Sequence, residues 1–319
     1  MSATIVADDR VRVGLDVGGS KTDAVAIDGD DGVLARVRVA TGWGVEPVVR
    51  SIRDAVTSLF ARPEVAGRAA VSIGIGIPGQ VEPGGSRVVH AVNLGIDRLD
   101  VGAALEPVFG VPVRVENDVK AAALGAALLH PGAASMAYVN LGTGVAAGVV
   151  VDGRLWRGAR GTAGEVGHIA IDPAGPLCRC GQRGCIEALA GGGAIAERWG
   201  RGGPFPVRDV FDAADAGDPH ARGLRADLAR GVAAAVRVLV LTADVDEVVL
   251  GGGLTALAPR LTADVAGALD DSAASSPFLR SLRLAERVRV LPSGSPAAAV
   301  GAALVGAADG TPAGEVLVG

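Results

Sequence analysis

At 319 residues the chain is long enough for two domains, each with a core of its own. Its formal charge of -5, with no basic tail or block, speaks against a nucleic-acid partner, although N–H groups in glycine turns bind phosphate without net positive charge. The most apolar run, residues 231–243, carries Arg237 and falls short of the roughly 20 residues of a membrane span. The first residues show no basic stretch followed by an apolar core, so no membrane contact and a cytoplasmic setting are expected.

In chain order, residues 11–16 read as a strand, Gly18-Gly19 as a turn, and 23–28 and 33–39 as two further strands of an antiparallel set. Val48, Val49, Ile52, Val56, Leu59 and Phe60 recur at helical spacing and predict a helix over 46–60. Residues 69–77 form a strand closed by Pro78-Gly79, 101–109 a short helix, 112–115 a strand and 119–129 a helix. The opening pattern then returns: strand 136–141, turn Gly142-Thr143-Gly144, strand 145–151, turn Asp152-Gly153 and a third strand at 154–156. This weak internal repeat predicts two related domains. Beyond a glycine- and proline-rich break at 200–206 come a long helix over 218–241, a strand at 247–250, a helix over 257–269, a strand at 288–291 and a small-residue helix over 296–308. Sheets alternating with helices make the class α/β. The 48 glycines cluster between apolar runs and read as tight turns.

Three glycine turns are candidate nucleotide contacts. In Asp16-Val-Gly18-Gly19-Ser20-Lys21-Thr22 the N–H groups of a hairpin approach phosphate where side chains would block them, and Asp16 would hold Mg²⁺. The run has neither common nucleotide spacing, so alone it also reads as an ordinary hairpin with a solvated Lys21. Gly142-Thr143-Gly144 repeats the arrangement, so that two turns clamp one polyphosphate. Gly251-Gly252-Gly253, after a strand, suits close passage of a nucleoside ring. Glu116-Asn117-Asp118 sits where a strand gives way to an alanine-rich helix. Such residues cap helices, and a carboxylate placed there also suits a base that takes a proton from an attacking hydroxyl.

The three cysteines fall within eight positions and follow a histidine: His168-x9-Cys178-x-Cys180-x4-Cys185. One nitrogen and three sulfurs are the ligand set of a closed, structural zinc site in a reducing compartment. Zinc there pins the loop that carries Glu165 and His168 and the start of the helix that carries Glu187, three candidates for sugar hydroxyls.

Taken together, these motifs resemble the ROK family (repressors, open reading frames and kinases) over residues 11–306. The matching stretches are residues 16–22, Pro78-Gly79, Asn93-Leu94, 116–118, 141–144, Ala163-Gly-Glu-Val-Gly-His168, 178–187 and 251–253. The resemblance implies a two-domain actin-like ATPase (ribonuclease H-like) fold, central sheets flanked by helices, with sugar bound in a cleft. Residues 11–117 and a C-terminal helix at about 296–309 would form the smaller domain, and 118–295 the larger, zinc-bearing one. It further implies ATP-dependent, glucokinase-like phosphorylation of a hexose 6-hydroxyl with ATP, Mg²⁺ and structural Zn²⁺, and a homodimer. Asp118 matches the family's base. Asn93, Asn117, Glu165, His168 and Glu187 match its sugar contacts, and His168, Cys178, Cys180 and Cys185 its zinc ligands. Kinases for N-acetylglucosamine, N-acetylmannosamine or fructose share these motifs, as do sugar-binding regulators. The first strand lies too near the start of the chain for the DNA-binding module that precedes this domain in regulators, so a kinase is expected. Ile96-Asp97 stands where a tryptophan often follows Asn-Leu, Lys120 where asparagine is common and Ala126 where glutamate is common, so the pocket's shape departs from the family pattern. The glycine turns do not distinguish ATP from polyphosphate as donor.

Overall fold

The computed structural model describes residues 9–82 and 85–307. They fall into two units: residues up to Pro131, Gly158–Gly161 and those from Pro296 on form one, and Gly132–Arg157 with Thr162–Ser295 the other. The first unit thus runs past the expected boundary at residue 117 and takes in the following helix.

In the first unit, the alternation Val11, Val13, Leu15, Val17 gives β1 (Arg10–Val17) one fully apolar face. Next come β2 (Lys21–Ile27), β3 (Val33–Ala40), helix α1 (Val45–Phe60) and β4 (Ala69–Ile77). A small antiparallel sheet of β5 (Gln80–Val81), β6 (Arg87–Ala91) and β7 (Ile96–Asp100) precedes α2 (Val101–Phe109), β8 (Val113–Asn117) and α3 (Asp118–Leu129). The main sheet has the order β3-β2-β1-β4-β8, with β1 antiparallel to β2 and parallel to β4. Val48, Ile52 and Leu59 of α1, which lies over β2 and β3, share one core with the apolar residues of β1 and β4.

The opposite face receives the C-terminal helix (Ala297–Ala307), whose expected last residues, 308 and 309, lie outside the described residues. This contact corrects the reading of glycine as turn residues. A β-carbon on Gly14 of β1 would stand 1.9 Å from the carbonyl oxygen of Ala299, and one on Gly74 of β4 1.7 Å from that of Ala302. On the flank, Gly125 of α3 and Gly301 are equally tight against the carbonyls of Ala297 and Ala121. These glycines lie inside strands and helices, where the absent side chain lets backbones touch.

The second unit repeats the plan. It holds β9 (Ser135–Leu141), β10 (Val145–Val151), β11 (Arg154–Trp156), α4 (Ile186–Ala190), α5 (Gly192–Trp199), α6 (Pro206–Asp215), α7 (Pro219–Ala243), β12 (Glu247–Gly251), α8 (Arg260–Ala273), α9 (Pro277–Ser281) and β13 (Val288–Val290). The sheet order β11-β10-β9-β12-β13, with β9 antiparallel to β10 and parallel to β12, is the first sheet's order strand for strand. The Asp218 carboxylate caps α7 by accepting from the N–H groups of His220 and Ala221, and Pro219 starts the helix. Its face Leu224, Leu228, Val232, Val236 closes the core with Phe211. Among the described residues no helix is long and apolar enough to cross a membrane.

Candidate active site

In the first unit, Asp16 ends the row Asp16–Asp23–Arg38 across β1, β2 and β3. Asp23 is nearly buried and takes ion pairs from both Arg36 and Arg38. Burial first, then the negative charges of Asp118 and Asp23, pushes the Asp16 carboxyl up to about 7, although solvent still reaches part of its side chain; Arg38 and Arg36 oppose the rise. Two acidic residues far apart in sequence are thereby close enough to sense one another. After Asp16, the Gly18 N–H donates to the Lys21 carbonyl (3.0 Å) and leaves Gly19, Ser20 and Lys21 exposed. Gly19 is required by its neighbour: a β-carbon there would lie 2.8 Å from the carbonyl oxygen of Asn93. Thr22, expected among the phosphate contacts, is fully buried with its hydroxyl 2.8 Å from that of Thr41, so it braces the turn from inside.

Asn117 and Asp118 divide the two roles open in the sequence. Asn117 is the cap: its side-chain oxygen accepts from Val119 N (3.1 Å) and Lys120 N (3.2 Å), and its amide donates to the Gly79 carbonyl (3.2 Å). Asp118 is the first helical residue, its Oδ1 held by Val119 N at 2.9 Å. Lys120 is buried and donates to the Gly161 carbonyl.

In the second unit, Gly164-Glu165-Val166-Gly167-His168 lies flush on β10. β-Carbons on Gly164 and Gly167 would each stand 1.9 Å from the carbonyl oxygens of Ala147 and Val145. Glu165 and His168 stay exposed. From there the chain turns through the cysteine loop. Cys178 N donates to Gln182 O (2.7 Å), and Gly181 and Gly184 take φ of +93° and +67°. The ligand atoms of His168, Cys178, Cys180 and Cys185 all lie within 4.8 Å of one another. Cys180 and Cys185 sulfurs are 3.7 Å apart, and Cys178 Sγ is 4.0 Å from His168 Nδ1. A tetrahedral zinc with bonds of about 2.3 Å separates its sulfurs by about 3.8 Å, so the donor set fits. Burial, then the neighbouring thiols, pushes Cys185 up to about 12, while hydrogen bonds from Gln182 pull the exposed Cys180 down to about 6. A bound cation would let all three ionise together.

Cys185 is also the residue before α4, which carries Glu187 in its first turn. Glu187 Oε2 accepts from Val145 N at 3.0 Å, next to Gly144 of the second glycine turn. That turn is held from behind by a run the motif reading passed over: Gly192 N donates to Gly142 O and Gly193 N to Thr143 O, both at 2.9 Å. The sequence signal, Gly191-Gly192-Gly193, resembles the third turn in composition. In Gly251-Gly252-Gly253 the first two glycines answer to the protein itself. A side chain on Gly251 would enter the Tyr138 ring, and Gly252 has φ +85° against Asn140 and Leu141; only Gly253 faces open space.

Comparison with known proteins places these residues in context. The chain matches the ROK family over residues 12–307. A glucokinase from Halalkalibacterium halodurans is 31% identical over 268 residues, 77% of this chain and 81% of the relative. An N-acetylmannosamine kinase from Citrobacter koseri is 34% identical over 243 residues, 75% and 82% of the two chains. The crystal structure of a ROK family glucokinase from Streptomyces griseus in complex with glucose and AMPPNP superposes with a TM-score of 0.76 at 27% identity, covering 93% of this chain and 99% of that one.

Proposed function

The chain belongs to the ROK family and has the actin-like ATPase fold, and from that membership and the geometry above we propose that it transfers the γ-phosphoryl group of ATP to the 6-hydroxyl of a hexose. The observation that carries this reading is that Asp16 and Asp118 flank one residue of β4: Asp16 pairs with Gly76, a β-carbon on Gly76 would lie 3.5 Å from Asp118 Cα, and the exposed turn Gly19-Ser20-Lys21 comes directly after Asp16. The kinase relatives and the AMPPNP complex support ATP as donor.

Asp118 acts as general base. The sugar oxygen forms a bond to the γ-phosphorus, the bond from that phosphorus to the β,γ-bridging oxygen breaks, and ADP leaves while Asp118 takes the hydroxyl proton. The N–H groups of the two glycine turns hold the phosphates, and Asp16 would hold Mg²⁺ beside them, directly or through water. Mg²⁺, when bound with ATP, neutralises phosphate charge. Asn93, Asn117, Glu165, His168 and Glu187 hold the sugar hydroxyls. His168 Nδ1 and the three cysteine sulfurs would hold zinc, which would fix both the loop that carries Glu165 and the start of α4, which carries Glu187. All three cysteines are free rather than disulfide-bonded, which supports a reducing, cytoplasmic setting.

The Citrobacter relative favours a second reading, an N-acetylmannosamine kinase with the same machinery. One experiment addresses both: purified protein with ATP and Mg²⁺ against a panel of hexoses and amino sugars, following ADP release. Sugar-dependent release is expected, and the best substrate separates glucokinase from amino-sugar kinase. No release above the sugar-free rate with any member would overturn the kinase reading.

A further inference from the structure

The loop between β3 and α1, residues 41–44, is tied at both ends to the machinery of the first unit. Thr41 N donates to Ser20 O (3.1 Å) and its hydroxyl meets that of Thr22, both in the first phosphate turn. At the other end, Gly44 N donates to Leu94 O over 2.7 Å, the residue after Asn93. Between these anchors stands Trp43. One face of its five-membered ring covers Gly95 so closely that a β-carbon on that glycine would lie 2.5 Å from Nε1, 2.6 Å from Cε2 and 3.1 Å from Cδ1. Gly95 also has φ +66°, so glycine is doubly required where the indole rests.

Trp43 nevertheless remains 67% exposed. A large apolar ring held in a fixed place by two backbone anchors, yet left open, contributes little to the core and is suited to receive a ligand. Its surroundings state which kind. Residues 92–100 contain no aromatic side chain, so Trp43 is the aromatic surface that this segment presents. Asn93, one of the proposed sugar contacts, lies two residues before the glycine under the indole, and its carbonyl sits against Gly19 of the phosphate turn. A hexopyranose has polar hydroxyls around its rim and an apolar face of C–H groups. Asn93, two residues before the glycine that one face of the indole covers, and the outer face of Trp43 offer chemistry that matches those two surfaces.

Resting on the sugar-kinase reading above, we infer that Trp43 is a specificity-determining wall of the sugar site, its indole packing on the C–H face of the hexose whose hydroxyls meet Asn93. Sugars with an axial hydroxyl or a bulky substituent on that face are discriminated against, because they lift the ring off the indole and lose that contact.

The test uses wild type, Trp43→Ala and Trp43→Phe with the sugars that the wild type phosphorylates. Covering part of an indole is worth about tenfold in affinity, so W43A should raise the sugar KM by about that factor, with W43F in between. The KM for ATP should stay within about twofold in both, which a general loosening of the unit would not allow. In wild type, sugar added without nucleotide should change tryptophan emission, saturating with the sugar, and that change should vanish in W43F although Trp156 and Trp199 remain. A sugar KM unchanged in W43A, or an emission change that persists in W43F, would overturn the inference and leave the kinase reading standing, since the wild type still turns over. A wild type that phosphorylates no sugar would overturn both.

Discussion

Asp16 carries a conflict that the rest of the first unit only partly relieves. It is desolvated beside Asp118 and Asp23, with Arg36 and Arg38 as counter-charges. A carboxyl raised on folding keeps a proton that the unfolded chain has already released. Its contribution to stability is therefore full below the ordinary 3.8 and is lost as pH climbs through about 7. For unliganded protein, the melting temperature of wild type should fall relative to Asp16→Asn between about pH 5 and about pH 8, since asparagine does not titrate. Thermal melts of both proteins across that range check this, and parallel curves would contradict it. Asp16 and Asp118 were legible as separate motifs in the sequence; their electrostatic coupling was not, because it depends on β1 and β8 lying on either side of β4. The Asp23–Arg36–Arg38 pairing escaped for the same reason, since it follows strand register rather than any spacing within one strand. Thr22 shows the reverse error. It lies within a phosphate motif, yet strand alternation turns it inward.

At the scale of elements, the cysteine loop links the candidate metal ligands, the start of α4 and the proposed sugar contacts. Cys185 precedes α4, Glu187 stands in the first turn of α4, and Gln182 donates to the backbone carbonyl of His168 (3.1 Å). Cys180→Ser should lose about one zinc per chain and raise the sugar KM while the protein stays folded. Metal analysis with sugar kinetics checks it; a zinc-free variant with a normal sugar KM would show that the loop does not position Glu165 and Glu187. This loop was the part of the site most open to sequence reading, because zinc chemistry fixes both ligand type and spacing. Less legible were β5, β6 and β7, whose two to five residues are too few for a two-residue alternation to stand out. Helix α6 was hidden in a different way. Its start at Pro206 reads as the end of a break, although Val207, Val210, Phe211 and Ala214 bury one helical face.

Across the whole molecule, the internal repeat foreshadowed the sheets: the antiparallel trios β1-β2-β3 and β9-β10-β11 are what the recurring strand, glycine turn, strand and Asp-Gly turn encode. The parallel strands β4, β8, β12 and β13 complete each sheet through long crossovers, and sequence spacing says little about where those return. Nor did it show that Gly14, Gly74, Gly125 and Gly301 serve backbone-to-backbone packing, since a glycine in a strand and one in a turn look alike in sequence. The proposal that this framework serves phosphoryl transfer with Asp118 as base is tested most directly by the steady-state kcat of Asp118→Asn with the best sugar. Asparagine keeps the size and can hydrogen-bond but cannot accept the proton. We predict a fall of about 10²–10⁴-fold in kcat, with circular dichroism, zinc content and ATP affinity close to wild type. A folded, zinc-loaded Asp118→Asn protein that keeps most of its kcat would contradict Asp118 as the base.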